Sequence, residues 1–545
     1  MKKSLQTPWF WLSLLALALL CIFILYPLLT ILSASFVGEG QNGWMRLLEN
    51  PRYIAAIQNT LILASVVTIF CSVIGVPLAY VTARFSFPGK WLIALLPLIT
   101  LVLPEVIAAQ TWLMMLGNNG LVTRFLKGYG IILPSFYGWF GLIVSMSFIY
   151  YTYIYIGVVA AIGKFDVQLE EAAQSLGTSP SKSRLRVMLP VILPTVLASA
   201  LLVFTMVVGN FAISMILSHR LPLLSVVTYQ AAVAEGASDI TMQSTLASVS
   251  VLIVMLVLFC NRFVVSRGRF EIVQGRGAKP LPLRGLKGLL VAISAGFIVI
   301  VSLLPLCVIV VGAFTASRGP VMQWGSWTFS NIARVFVTAP QPLVNSLTYA
   351  ATATFISIIF SAVVSYLVVK KPNLITPVID YISAIPLALS GTVLGVGLLA
   401  TFHGGWLPLS GTAMIIVLAY VVRRMPFGMR NSQAILQNIP NSIEEASISL
   451  GVPPVRSFFK VVLPMMLPAI ASAAILTWTT TVAELSASIL VYSGGRETLP
   501  IQVFRLLDSG LMAYASAYGL VLVTVILVPI IIATKLFRID VFASK

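Results

Sequence analysis

Charged side chains are scarce in this chain: they make up 9% of its 545 residues, while hydrophobic ones make up 59%. A soluble protein of this length needs far more charge to cover its core, so lipid must be the solvent for most of the surface. Histidine is nearly absent, with His219 and His403 alone, which excludes a histidine metal cluster. The four cysteines, Cys21, Cys71, Cys260 and Cys307, lie far apart in apolar runs. They read as small buried apolar residues, and neither a disulfide framework nor a thiolate metal site is expected. No phosphate loop of the G-x-x-x-x-G-K-[ST] form occurs, so ATP is not expected to bind this chain by that route. No polar stretch is long enough for an ATPase or a substrate-receptor domain. No nucleophile–base pair sits where water would reach it. The chain is therefore not expected to be an enzyme, and no cofactor or metal is assigned to it.

Long apolar runs dominate instead, and the mean hydropathy is +1.00. In lipid a backbone must satisfy its own hydrogen bonds, and unbroken runs without strict alternation point to helices, not a barrel. Twelve spans are expected, at roughly 9–33, 56–82, 91–116, 132–162, 187–217, 243–265, 288–314, 345–369, 376–401, 407–422, 461–491 and 514–534; each can cross a hydrocarbon layer of about 30 Å. The tenth is short and ends at Arg423-Arg424. The run from Trp9 follows Met1-Lys2-Lys3 and is too long for a signal-peptide core, so it reads as an uncleaved first span. The net charge of +18 comes from basic residues in short loops, with no continuous basic face carrying aromatics, so nucleic acid is not an expected partner. Of the 34 lysines and arginines, only Arg46, Arg52, Arg124, Lys127, Arg220, Arg318, Arg334, Arg496 and Arg505 fall outside the segments that face the cytoplasm if both termini do. That bias predicts both termini inside.

The chain repeats itself. Residues 170–194 (EEAAQSLGTSPSKSRLRVMLPVILP) align without gaps on 444–468 (EEASISLGVPPVRSFFKVVLPMMLP), an offset of 274, and share Glu-Glu-Ala, Ser-Leu-Gly and two Leu-Pro pairs or their equivalents. Upstream, Asn59-Thr60-Leu61 matches Asn345-Ser346-Leu347 and Tyr80 matches Tyr366, at an offset of 286. One half therefore carries extra residues between the two anchors. Both copies run in the same direction with six spans each, which predicts a parallel repeat. The expected fold is an all-α membrane protein of about twelve helices, with domains at 1–275 and 276–545 joined by the basic stretch Arg267–Lys287. Within each repeated segment, Gly177 and Gly451 suit the turn that ends a short helix, and Ser179-Pro180 suits the start of the next. Ser442 and Glu445 have capping-box spacing. A helix–elbow–helix at the membrane face is a lever that can pass a push from a soluble partner to a span.

Glu170, Glu171 and Ala172 with Gly177, and Glu444, Glu445 and Ala446 with Gly451, each followed by a Leu-Pro, resemble the EAA loop of permeases from binding-protein-dependent ATP-binding-cassette importers. The resemblance covers nearly the whole chain. It implies that these eight residues couple the permease to two copies of an ABC ATPase, which bind the ATP. It also implies a periplasmic substrate-binding protein and a place in the bacterial inner membrane. The stretch Glu484 to Tyr492, followed by Glu497-Thr498-Leu499-Pro500, is similar to the ferric-iron group of these permeases. Asn210-Phe211-Ala212-Ile213 resembles an Asp-Phe-Gly-type stretch of that group, with Asn for Asp and Ala for Gly. Ferric iron is the implied substrate. Thiamine and phosphonate permeases share the pattern and are the alternatives; an ion-gradient-driven secondary transporter is the alternative of another class.

Glu105 and Glu484 lie inside apolar runs, where an ionised group costs roughly 2.5–3.5 kcal/mol. The 274 offset sets Asn210 opposite Glu484 and Ser214 opposite Ser488; the 286 offset sets Gly391 opposite Glu105. If the halves face each other, Asn210, Ser214, Glu484, Ser486 and Ser488, with Glu105, would line a translocation path whose oxygens suit a hard cation. The alternative for each glutamate is a structural bond to a neighbouring helix.

Overall fold

Nine helices among the described residues are long and apolar enough to cross a membrane. The computed structural model describes residues 8–36, 42–233, 239–267, 280–283, 285–319 and 321–537; most of the expected joint Arg267–Lys287 and both chain ends lie outside these. Two further spans, expected as continuous at 91–116 and 376–401, are broken. Lys90–Thr100 meets Glu105–Gly128 at 108°, and Thr376–Ala388 meets Gly391–Phe402 at 114°. The first break falls before Pro104, which has no N–H and keeps its predecessor out of helical geometry. At the second, the Ser390 hydroxyl accepts from the Val393 N–H at 3.3 Å and starts the new helix.

The tenth expected span is corrected by the structure. The expected span 407–422 is part of Ala413–Asn438, and Arg423, Arg424 and Arg430 lie within that helix, not in a loop. Its counterpart at the 274 offset, Trp139–Lys164, has the same 26 residues. Likewise Leu189–Val208 and Leu463–Val482 both have 20 residues. At the 286 offset, Glu105–Leu116 and Gly391–Phe402 both have 12. The surplus of the first half thus lies between Leu116 and Trp139, where it forms the extra helix Leu121–Gly128. The runs 187–217 and 461–491 are not single spans either. Their helices stop at Val208 and Val482, the chain turns, and Ala212–Leu217 and Ser488–Val491 follow.

The chain forms two compact units, and each takes residues from both sides of position 275. One comprises Met1–Glu49, Thr228–Val251 and Ala313–Ala543; the other comprises Asn50–Val227 and Leu252–Gly312. In the first, helix Pro8–Phe36 (a π-helical turn at Cys21–Leu25 included) packs on second-half residues: Trp9 lies 5.1 Å from the Tyr366 ring, and the Asn373 amide donates to the Ser13 hydroxyl at 3.0 Å. Arg46 pairs with Asp239 in the same unit. Burial alone would raise the Asp239 carboxyl, but bonds from Arg46 and the Met242 N–H, with the Arg46 charge, hold it below the usual carboxylate range. In the second unit, helix Gly285–Ala313 meets Tyr151, whose hydroxyl is 3.0 Å from that of Ser302.

The repeated Asn-Thr/Ser-Leu anchor has the same role in each unit. The Thr60 hydroxyl accepts from the Leu224 N–H at 2.9 Å, and the Ser346 hydroxyl from the Leu499 N–H at 2.7 Å. Each thereby serves an otherwise orphaned donor at a helix start. Small residues bring spans together: a Cβ on Gly75 would lie 2.8 Å from the Tyr151 carbonyl, and one on Gly428 would lie 2.6 Å from the Ser361 hydroxyl. The cysteines are not uniformly buried as expected: Cys71 is buried and Cys21 half-buried, while Cys260 and Cys307 are exposed on spanning helices, where lipid suits a thiol as well as a core does.

Candidate coupling loops and translocation-path residues

Each repeated loop folds as a short helix closed by a left-handed glycine. In the first half the helix is Val167–Ser175, and the Asp166 side chain caps it by accepting from the Gln168 N–H at 3.0 Å. In the second half it is Asn441–Ser449. Its N-cap is Pro440 and no side chain caps it, so the expected Ser442–Glu445 capping box does not form; Ser442 already lies inside the helix. Both ends close alike. Gly177 and Thr178 donate to the Gln174 and Ala173 carbonyls, and Gly451 and Val452 to those of Ile448 and Ser447, a Schellman turn. Gly177 has φ +87° and Gly451 φ +89°. A Cβ at either would meet nothing within 4 Å, so conformation, not space, demands glycine. Alanine at either position should cost about 1–2 kcal/mol and leucine no more than that, because the penalty is the left-handed backbone. Asparagine should cost least. Thermal unfolding of the purified variants checks the ranking, and a steep dependence on side-chain size would refute it.

The two glutamates of each pair point in opposite directions. Glu170 and Glu444 are buried, while Glu171, Ala172, Glu445 and Ala446 are exposed. Glu170 pairs with Arg84, and Arg184 Nε lies 3.6 Å away. Glu444 pairs with Lys371 Nζ at 2.8 Å and accepts from the Tyr366 hydroxyl at 2.6 Å. Beside the outward glutamates stand two leucines that the sequence reading did not single out: Leu176 is 88% exposed and Leu450 85%. Their signal was present, since Ser-Leu-Gly is identical in both copies of an otherwise polar loop. After the elbow, both copies pass through a π-helical turn, Arg184–Met188 and Phe458–Val462. Pro190 and Pro464 follow one leucine later, and the wider turn relieves the clash that a proline ring makes with the carbonyl four residues back.

The expected path residues assemble into one buried polar node per unit. In one unit, Glu105 is the first residue after the span break. It accepts from the Tyr150 hydroxyl at 2.5 Å, and the Asn210 amide donates to that same hydroxyl at 2.7 Å. Asn210 sits in the turn after Val208, where its side-chain Oδ1 accepts from the N–H groups of Ile213 and Ser214. In the other unit, Glu484 occupies the equivalent turn. Its Oε1 is 2.8 Å from Arg423 Nη1 and accepts from the Ala487 N–H at 3.1 Å, while its Oε2 binds Arg424. The Ser488 hydroxyl donates to the Glu484 carbonyl at 2.8 Å, and Ser486 is buried beside it. Gly391, at the place of Glu105, leaves room for Arg423: a Cβ there would lie 1.8 Å from Nη1.

The nodes are thus the same four positions with different chemistry. Glu105, Tyr150 and Asn210 stand where Gly391, Arg424 and Glu484 stand in the second half, and Ile149 stands where Arg423 does. Both carboxylate oxygens of Glu484 are engaged by guanidinium groups, and the three charges sum to +1, so this carboxylate is not an open donor for a hard cation. The arginines escaped the sequence reading because an adjacent pair at the end of an apolar run reads as a loop. The signal that could have found them is Glu484 itself, since a glutamate in a span calls for a partner.

A family described as binding-protein-dependent transport system inner membrane component matches the chain twice, at residues 75–267 and 353–539. The ferric transport system permease protein FbpB of Actinobacillus pleuropneumoniae is 25% identical over 530 residues, which cover 93% of this chain and 75% of that protein. A putative ferric transport system permease protein, FbpB 1, of Haemophilus influenzae is 28% identical over 502 residues, 88% of this chain and 77% of that one. The sulfate transport system permease protein CysT of Salmonella typhimurium is 32% identical over 208 residues, 37% of this chain and 73% of that one.

Proposed function

We propose, for a chain that belongs to the family of inner membrane components of binding-protein-dependent transport systems, that it supplies both transmembrane halves of an ATP-driven importer of ferric iron. The observation that carries this reading is the duplicated loop, which presents the same outward face twice: Glu171, Ala172 and Leu176 in one copy, and Glu445, Ala446 and Leu450 in the other. Two matched faces call for two copies of one soluble ATPase, the subunits that would bind ATP. A periplasmic binding protein would deliver the substrate. Residues 1–275 and 276–545 are taken as the two copies, in the bacterial inner membrane with both termini cytoplasmic.

We assign to the translocation path Glu105, Asn210 and Ser214 of one half, and Glu484, Ser486 and Ser488 of the other. In the second node Glu484 acts by fixing Arg423 and Arg424, not by holding a cation. Iron therefore rests on the relatives that are ferric transport system permeases. One observation favours a second substrate: a node of net charge +1 suits an oxyanion, and sulfate and phosphonate permeases are among the relatives.

The test is uptake into liposomes that hold this chain and its cognate ATPase, with receptor outside. ATP-dependent accumulation of ferric iron that requires the receptor is the expected result. Accumulation of sulfate or 2-aminoethylphosphonate instead would replace the substrate. Uptake driven by an ion gradient without the ATPase would refute the importer reading.

A further inference from the structure

We infer that the buried first glutamate of each loop, Glu170 and Glu444, is a positioning residue that ties the coupling helix to the neighbouring spans, and that docking falls to the exposed face alone. This deepens the importer reading and rests on it. Glu170 lies in the first turn of its helix, where the helix dipole favours a carboxylate. From there it reaches two other elements. Arg84 is the last residue of helix Pro51–Arg84, and Arg184 opens the π-helical turn after the elbow. The Ser183 hydroxyl also donates to the Glu170 carbonyl at 3.3 Å. One carboxylate thus joins the end of the span before the loop, the coupling helix, and the start of the span after it.

The second half makes the same three-way joint from different residues. Glu444 binds Lys371, which directly follows helix Gln341–Lys370, and Tyr366 in the last turn of that helix. Its connection to the turn after the elbow is aromatic: the Tyr366 ring packs against that of Phe458 at 4.6 Å between centroids, with the ring planes tilted by 51°. Phe458 stands where Arg184 stands in the first half. A guanidinium in one copy and a pair of rings in the other serve one connection, so the connection, not either side chain, is what the two copies have in common. Lys370 adds a further tie, donating to the Asn441 side chain at 2.8 Å. Glu171 and Glu445 reach none of these groups and face outward. A push on the exposed face would move the span ends because the buried glutamate locks them to the helix.

The experiment compares Glu170→Gln with Glu171→Gln in the full chain, with ATPase and receptor, and reads three quantities. For Glu170→Gln, ATPase co-purification should stay at the parent level, while receptor-stimulated hydrolysis and uptake fall about tenfold. A nitroxide on a cysteine at Ser175, read in the permease without ATPase and with the exposed native cysteines replaced, should become more mobile. For Glu171→Gln, co-purification itself should fall. Arg84→Lys, which copies the ammonium of the second half, should keep coupling, and Arg84→Glu combined with Glu170→Arg should restore much of it; a variant that merely failed to fold would not be restored. The inference is overturned if Glu170→Gln loses the ATPase as Glu171→Gln does, or if its uptake and label mobility match the parent. If the parent itself binds no ATPase, the importer reading falls and this inference with it.

Discussion

The Glu484→Gln variant should melt far below the parent in detergent, with a loss of about 3–5 kcal/mol. The carboxylate is the counter-charge shared by Arg423 and Arg424 inside the unit. An amide is isosteric and keeps one acceptor, but it leaves two guanidinium charges without the anion that offsets their desolvation. Arg424 retains its bond to the Thr480 carbonyl at 2.8 Å, which is no substitute for a charge. A second variant separates loss of the ion cluster from loss of space. Arg423→Ile, Arg424→Tyr and Glu484→Asn together install the residues that the first half carries at these positions, Ile149, Tyr150 and Asn210. That triple variant removes all three charges at once and should melt close to the parent. Thermal unfolding followed by tryptophan fluorescence or size-exclusion chromatography measures both. A Glu484→Gln protein as stable as the parent would show that the carboxylate is not the anchor of the arginines.

Leu176→Asp combined with Leu450→Asp should abolish capture of the ATPase while leaving the permease folded. Each leucine is almost wholly outside its own unit, so its replacement should change stability by no more than about 0.5 kcal/mol. At a docked interface a buried apolar anchor is worth about 2 kcal/mol or more, roughly thirtyfold in affinity for each loop. An aspartate adds a charge where desolvation is required, and it stands five residues from Glu171 or Glu445. Co-purification of the ATPase and its receptor-stimulated hydrolysis are the readouts. Binding at the parent level would remove the docking role from both loops.

Much of this was legible in the sequence, for local reasons. Repeats, glycine elbows and apolar runs depend on neighbours within a few residues. Gly177 and Gly451 were readable because a helix end demands a left-handed residue. The Asn59 and Asn345 anchors were readable because they recur. What could not be read depends on distant partners. Arg423 and Arg424 belong inside a helix only because Glu484, some sixty residues later, returns to meet them. The inward and outward glutamates of each loop look alike until Arg84 and Lys371 are seen beside one of them. The broken spans were hidden because Pro104 and Ser390 interrupt runs that remain apolar on both sides. The sequence anchors differ in offset, and only the helix pairs show that the surplus is Leu121–Gly128.

The exchange of first helices between the units sets a timetable for synthesis. Ser13 and Asn373, hydrogen-bonded partners, are separated by 360 positions. At ribosomal rates of about 5–20 residues per second, helix Pro8–Phe36 waits roughly 20 to 70 seconds for its neighbours to emerge. Its Ser13 hydroxyl is satisfied while it waits in lipid, because it also donates to the Trp9 carbonyl of its own helix at 2.9 Å. Gly285–Ala313 emerges when its partners are already in place. Cutting the gene at the repeat boundary would therefore not yield two self-sufficient proteins. Each fragment would carry a helix that belongs to the other and lack one of its own, so the two would have to be made together and trade helices before either was complete.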